Sequence, residues 1–172
     1  PRRPTYLIET NDVATLLPRR PFNAHKYSVG KVLVIAGSRS YTGAPALAAL
    51  AALKTGAGAV ILCVPESIHP LLVRKLTDVI LVPCPETSAG TLGGAARAEI
   101  EKRLAWADVA VLGPGLSRHE ETDRLVKELI PSIPCPLLLD ADGLNAISGA
   151  TSILKRRKTP AILTPHTGEL AR

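Results

Sequence analysis

KVLVIAGSRSYTGAPALAALAALKTGAG, residues 31–58, decides the fold. The run VLVIA (32–36) is apolar at consecutive positions, as a strand covered on both faces must be. It breaks at once into the loop Gly37-Ser38-Arg39-Ser40-Tyr41-Thr42-Gly43. A helix follows, with Thr42 or Gly43 as the expected N-cap and Pro45 in the first turn, where its missing N–H costs nothing. Its body is Ala and Leu, small enough to lie close on a sheet, and Gly56 and Gly58 end it before the next strand. Strand, loop and helix in this order form the start of a βαβ unit.

The same punctuation recurs downstream. VAVL (109–112) runs into Gly113-Pro114-Gly115-Leu116, LLLD (137–140) into Ala141-Asp142-Gly143-Leu144-Asn145, and ILT (162–164) into Pro165-His166-Thr167-Gly168-Glu169. If these runs are parallel strands of one sheet, all four loops open onto one edge. In open α/β sheets the edge at the carboxyl ends of the strands is where ligands bind. The pattern therefore points to a single crevice.

Read along the whole chain, strands are predicted at 32–36, 59–64, 78–82, 109–112, 137–140 and 161–164. Helices are predicted at 44–55, 67–76, 92–106, 119–130, 143–148 and 152–158. The alternation gives an α/β fold: a three-layer, mostly parallel sheet with helices on both faces. Residues 1–30 are Pro-rich and basic, with a short helix near 11–17, and read as a lead-in arm packed on the 31–172 domain.

Composition narrows the function. A hydrophobic fraction of 46% and a charged fraction of 21% over 172 residues are those of an ordinary globular domain. No apolar stretch reaches the roughly 18 residues of a membrane span, and no signal-peptide run opens the sequence, so a cytoplasmic setting is expected. Cys63, Cys84 and Cys135 show no CxxC spacing and read as reduced, buried small hydrophobes. The net charge of +6 and the run Lys155-Arg156-Arg157-Lys158 invite nucleic acid, but aromatics at 3% are too few for base stacking. A small anionic ligand suits the charge equally well, and free N–H groups at the start of the 44–55 helix can hold an anion.

Generic nucleotide motifs are absent. GSRSYTG is not the dinucleotide fingerprint, and no GxxxxGK(S/T), HExxH, GxSxG or Cys–His pairing occurs. Spacing alone thus supports a crevice and no reaction.

The blocks 31–58, GPGL (113–116), LDADGLN (139–145) and LTPHTGEL (163–170), in this order and spacing, resemble those of the NAD(P)H-hydrate dehydratase family. The resemblance covers about 31–170 and implies the ribokinase-like fold. It also implies a lyase that repairs hydrated NADH or NADPH with ADP or ATP as co-substrate and Mg²⁺ as cofactor. In that reaction the ring hydroxyl takes a phosphoryl group and phosphate then leaves. Two alternatives stand beside it. One is a ribokinase-fold kinase of a small alcohol or vitamin precursor; the other is a non-catalytic dinucleotide-binding fragment.

Carried over residue by residue, the resemblance puts Ala44, Gly113, Gly115 and His166 against the substrate. From sequence alone Ala44 is equally a helix-packing residue, and Gly113 and Gly115 equally a bare strand-to-helix turn. His166 can donate and accept hydrogen bonds to a carboxamide or hydroxyl. Glu169 either contacts a Mg²⁺-bound water or supplies charge at a helix N-terminus. Asp140 is read as a buried, hydrogen-bonded site residue with Asn145 as its neighbour in the loop, either of them site or structure. No direct metal ligand is assigned. Family members continue past TPHTGE, and their expected general-base Asp has no counterpart up to Arg172. The resemblance thus casts the chain as the amino-terminal part of a longer enzyme ending after its sixth strand, on its own inactive. Expected partners are a homo-oligomer (a tetramer by resemblance), the remaining carboxyl-terminal half, and a fused epimerase domain.

Overall fold

Among the described residues six strands form one sheet in the order β3-β2-β1-β4-β5-β6, every neighbouring pair parallel. They are β1 (Lys31–Ile35), β2 (Ala59–Pro65), β3 (Ile80–Cys84), β4 (Val109–Leu112), β5 (Leu137–Leu139) and β6 (Ala161–Leu163). The computed structural model describes residues 6–17 and 20–172. The part of the lead-in arm at 1–5 and 18–19 lies outside the described residues.

The continuous apolar strands are explained by two cores, one on each face. Because side chains alternate along a strand, Leu33 and Ile35 of β1 and Ile61 and Cys63 of β2 enter one core. Val34, Val60, Leu62 and Val64 enter the other. The first core is closed by α4 (Arg97–Leu104) and α5 (Glu120–Ser132) through Ile100, Leu104, Leu125 and Leu129. The second is closed by α2 (Gly43–Lys54) and α3 (His69–Val73) through Ala49 and Leu72. The α2–α3 layer covers β1 to β3 and leaves the same face of β4 to β6 bare. Val109 and, on β6, Ile162 are exposed on that face.

Helix ends follow the punctuation. Gly56 sits at φ +112°, which lets its N–H reach Leu53 O at 3.0 Å and the Ala57 N–H reach Ala52 O at 3.0 Å, closing α2. Thr42 precedes α2 as expected, but its side chain makes no capping bond. α1 (Thr10–Leu16) is closed by a reciprocal Glu9–Asp12 capping box and buries no residue. Arg20 ties the arm to the domain by donating to Gly56 O at 2.7 Å.

Four expectations need correction. β3 begins two residues later than predicted, at Ile80, because Asp78 and Val79 still belong to the turn out of the preceding helix. The predicted helix 67–76 is a 3₁₀ turn (66–68) followed by the short α3, which starts at His69 just before Pro70. The helix placed at 92–106 starts only at Arg97, since 86–92 closes its own turn through a Glu86–Leu92 bridge. The segment 152–158 is a 3₁₀ helix at Thr151–Arg156, not an α-helix.

Candidate functional site

The order of the strands reverses between β1 and β4, and the loops after these two strands meet. Gly37 N–H donates to Pro114 O at 2.9 Å and Gly113 N–H to Ile35 O at 3.2 Å. From this seam the wall runs along the carboxyl edge of β4, β5 and β6.

Glycine makes the wall close. Gly115, at φ +66°, lies where a Cβ would come within 2.9 Å of both the Ala44 and Tyr41 Cβ atoms, so Ala44 and Gly115 are brought together. Gly113, at φ +127°, lies where a Cβ would overlap the Asp140 carbonyl oxygen and sit 2.8 Å from Gly143 N. Positive φ at these two positions and the absence of any side chain are what let three loops share one backbone surface. Ala44 is half-buried at the second residue of α2, small enough to leave the adjoining backbone accessible.

Asp140 is half-buried rather than buried, and its Oδ1 accepts the Thr164 hydroxyl at 2.6 Å. It stands beside an open groove of about 540 Å³ on the bare side of the sheet, with Val32, Ala48, Ala52, Val111 and Leu138. Asn145 makes no hydrogen bond to Asp140: its Nδ2 donates to Asp142 Oδ1 at 3.2 Å and its Oδ1 accepts Arg172 at 2.7 Å. The physical reason is α6 (Asp142–Ala146), which begins at once after β5 and turns Asn145 toward a smaller hollow of about 150 Å³ shared with Leu163, Pro165, Glu169 and Arg172.

Asp142 is a residue that sequence reasoning left without a role. Its Oδ2 accepts the Ser117 N–H at 2.9 Å, tying the β5–α6 turn to the end of the Gly113–Gly115 loop. An acidic residue immediately before the predicted 143–148 helix is the available signal. Ser117 (φ +66°) and Ala141 (φ +50°) are non-glycine residues at positive φ on the two sides of that bond. Such strain, of order 1–3 kcal/mol each, persists only where neighbours hold it.

His166 caps α7 (Thr167–Leu170), a turn absent from the sequence prediction. Its Nδ1 accepts the Gly168 N–H at 3.0 Å, while its own N–H donates to Glu169 Oε2 at 3.0 Å. That pattern assigns the remaining imidazole proton to Nε2, which lies 3.3 Å from Glu169 Oε1. The ring is 68% exposed on its side chain, against 7% for Glu169. Here Glu169 therefore acts at the helix N-terminus, and His166 is the part that faces outward. The described contacts bring Ala44, Gly115, Gly113 and Asp140 into one wall; those of His166 stay within its own turn.

The fit to Mg²⁺ is poor at the level of side chains alone. Among the described residues no three His, Cys, Asp or Glu side chains gather as metal ligands. Both oxygens of Asp142 and of Glu169 are engaged. A hard cation would have to arrive with phosphate oxygens of its own, as Mg²⁺ often does. Cys63, Cys84 and Cys135 are buried free thiols. A hydrogen bond with Cys84, then burial, pushes the Cys63 thiol far up, and burial raises Cys135, which disfavours the thiolate at both. No helix among the described residues is long and apolar enough to cross a membrane.

The NAD(P)H-hydrate dehydratase family profile matches residues 32–172. The chain is 47% identical over 156 residues to the bifunctional NAD(P)H-hydrate repair enzyme Nnr of Moorella thermoacetica, covering 91% of this chain and 29% of that protein. Its identity to the enzyme of the same name from Thermofilum pendens is 41%, over 96% of this chain and 31% of the relative. The chain thus spans under a third of the length of these relatives. Among solved structures it is similar to the ADP/ATP-dependent NAD(P)H-hydrate dehydratase of Bacillus subtilis co-crystallised with ATP/Mg²⁺ (TM-score 0.72, 29% identity), covering 94% of this chain and 53% of that one. It is also similar to the hypothetical protein SMU.573 of Streptococcus mutans (TM-score 0.79, 26% identity, 96% and 56% covered).

Proposed function

This chain belongs to the NAD(P)H-hydrate dehydratase family, and from that premise we propose that its strand-end wall takes hydrated NADH or NADPH for ADP- or ATP-dependent dehydration. The observation that carries the reading is the glycine wall itself. Gly113 and Gly115 present bare backbone between Ala44 on one side and Asp140 on the other, at the edge where α/β sheets bind ligands. Ala44, Gly113, Gly115 and His166 are assigned to the substrate. Asp140, Asn145 and Glu169 are assigned to the surroundings, with Asn145 and Glu169 around the smaller hollow.

Phosphoryl transfer to the ring hydroxyl followed by loss of phosphate is mainly a matter of positioning and charge. The wall supplies positioning through backbone groups, the His166 imidazole faces outward from its own turn, and the residues up to Arg172 supply no assigned general base. Mg²⁺ would offset phosphate charge and would come with the nucleotide, consistent with the side chains available. The same reading carries a cytoplasmic homo-oligomer, a tetramer in the family, with an epimerase as fused partner.

The test is incubation of the intact protein with hydrated NADH or NADPH, Mg²⁺, and ADP or ATP in turn. The expected result is recovery of the reduced-nicotinamide absorbance together with phosphate release. No recovery with either nucleotide overturns the proposal. A stable phosphorylated product without phosphate release would instead make the protein a kinase.

A further inference from the structure

The first loop is held from behind by a carboxylate outside the wall. Glu86 follows β3, its side chain is only 17% exposed, and both its oxygens are engaged. Oε1 accepts Arg39 Nη2 at 2.8 Å and Oε2 accepts the Ser67 N–H at 3.0 Å. Arg39 belongs to the loop after β1 and Ser67 to the 3₁₀ turn after β2, so one carboxylate joins the ends of three adjacent strands.

The platform under Glu86 is rigid. The Thr87 N–H donates to Thr91 O at 2.8 Å and the Gly90 N–H to Thr87 O at 2.9 Å. Three buried hydroxyls, of Thr87, Thr91 and Thr122, follow one another at 2.8 Å, and Thr122 also donates to Leu92 O at 2.7 Å. Thr122 is on α5, so the turn is rooted in the helix layer. The Arg39 side chain packs against this turn at Gly90. Its backbone N–H donates to Gly90 O at 2.9 Å, and a Cβ on Gly90 would come within 2.7 Å of the Arg39 side chain. Two residues further on, Tyr41 presses against Gly115, and Ala44 does the same.

We infer that Glu86 is a positioning residue for substrate: through Arg39 and Ser67 it fixes the 37–44 loop at the height where Tyr41 and Ala44 meet Gly115. An unanchored loop of this kind, exposed at Arg39, Ser40 and Tyr41, would sample other positions and leave the wall incomplete. The inference rests on the reading that this wall faces the hydrated dinucleotide. The clamp itself does not.

The experiment uses the intact protein with Glu86→Gln, Arg39→Gln, the double variant and Arg39→Lys. Amide hydrogen exchange is read first, with no ligand. Exchange across 38–42 should rise about five- to tenfold in each single variant, with β1 and β4 unchanged. The double variant should be no worse than Glu86→Gln alone, because the Arg39–Glu86 pair is the element common to all three variants and the Ser67 contact depends on Glu86 only, and Arg39→Lys should recover part of the protection. Kinetics are read second: KM for the hydrated dinucleotide should rise several-fold while kcat stays within about twofold. Unchanged exchange at 38–42, or additive effects in the double variant, overturns the clamp. Raised exchange with an unmoved KM overturns the substrate role while leaving the clamp. A wild-type protein that turns over no hydrated dinucleotide defeats the proposed function and with it the substrate role, and exchange still decides the clamp. If Glu86→Gln fails to fold, the exposed Arg39→Gln carries the same comparison.

Discussion

Gly113→Ala should be among the most damaging single-methyl additions in this chain. At φ +127° an L side chain is strained whatever the space, at on the order of 1–3 kcal/mol. The new Cβ would also overlap the Asp140 carbonyl oxygen and approach Gly143 N to 2.8 Å. Both obstacles are backbone, so no rotamer change relieves them, and the two loops must separate by on the order of 1 Å against a close-packed interior. Overpacking of this sort adds about 1–3 kcal/mol. The sum, about 2–6 kcal/mol, corresponds at roughly 2–4 °C per kcal/mol to a melting temperature lowered by at least about 4 °C. Gly94→Ala is the control: nothing lies within 4 Å of its Cβ and its φ is not positive, so its effect should stay within about 0.5 kcal/mol. Thermal unfolding of the two variants against wild type decides it. A Gly113→Ala protein melting within about 1 °C of wild type would refute the account of the wall as backbone against backbone.

Two further outcomes follow from buried or shielded polar groups. Thr122→Val keeps the shape but removes the hydroxyl shared with Thr91 and Leu92 O, which should cost about 1–3 kcal/mol in urea denaturation. Thr122→Ser should cost less, and the reverse order would sink the hydroxyl chain as the root of the 86–92 turn. For Glu86, burial alone would raise the carboxyl, but the Ser67 N–H and the Arg39 guanidinium together hold it below its ordinary value of 4.5. A lowered folded value means stability that is present above the unfolded value and lost as pH falls through the folded one. The stability gap between wild type and Glu86→Gln should therefore be level from neutral pH down to about 5 and shrink below 4.5. Denaturation at stepped pH measures it, and a gap that widens on acidification contradicts the assignment.

Strands and their common edge were legible because apolar runs on both faces leave little choice of role. VAVL at 109–112 keeps the predicted bounds, although only its Ala110 and Leu112 side is fully buried and Val109 is exposed on the other. The errors fall where tertiary contacts override local pattern. Residues 92–96 carry the helix-weakening pair Gly93-Gly94, and Thr91 and Leu92 are drawn into a turn by Thr122 of α5, some 30 residues away in sequence. The same holds for the site. The glycines of the wall could be named from strand–loop punctuation, but their partners could not: no local pattern says that Gly113 faces the Asp140 carbonyl. Glu86 and Asp142 were passed over because their roles are to accept backbone N–H groups from other loops, and sequence spacing records no such pairing.

Where a doubly wound sheet reverses its strand order, the loops on either side usually part, and a ligand enters between them. In this chain they do not part. Gly37 N–H holds Pro114 O, and Gly113 N–H holds Ile35 O, so the seam between β1 and β4 is closed by main-chain bonds. A pyrophosphate cannot use that gap in the manner of the dinucleotide fingerprint, and the fingerprint is correspondingly missing from GSRSYTG. What the closed seam leaves is a surface above it, continuous from Tyr41 and Ala44 across Gly115 and Gly113 to Asp140. The height of that surface depends on how the 37–44 loop is held, and the polar anchors of that loop point backward to Glu86 and Gly90 rather than outward. Polar side chains are thus used to set backbone, and backbone is what a ligand would meet. Substitutions that shift the loops should therefore weaken substrate binding as much as substitutions at the contact surface itself.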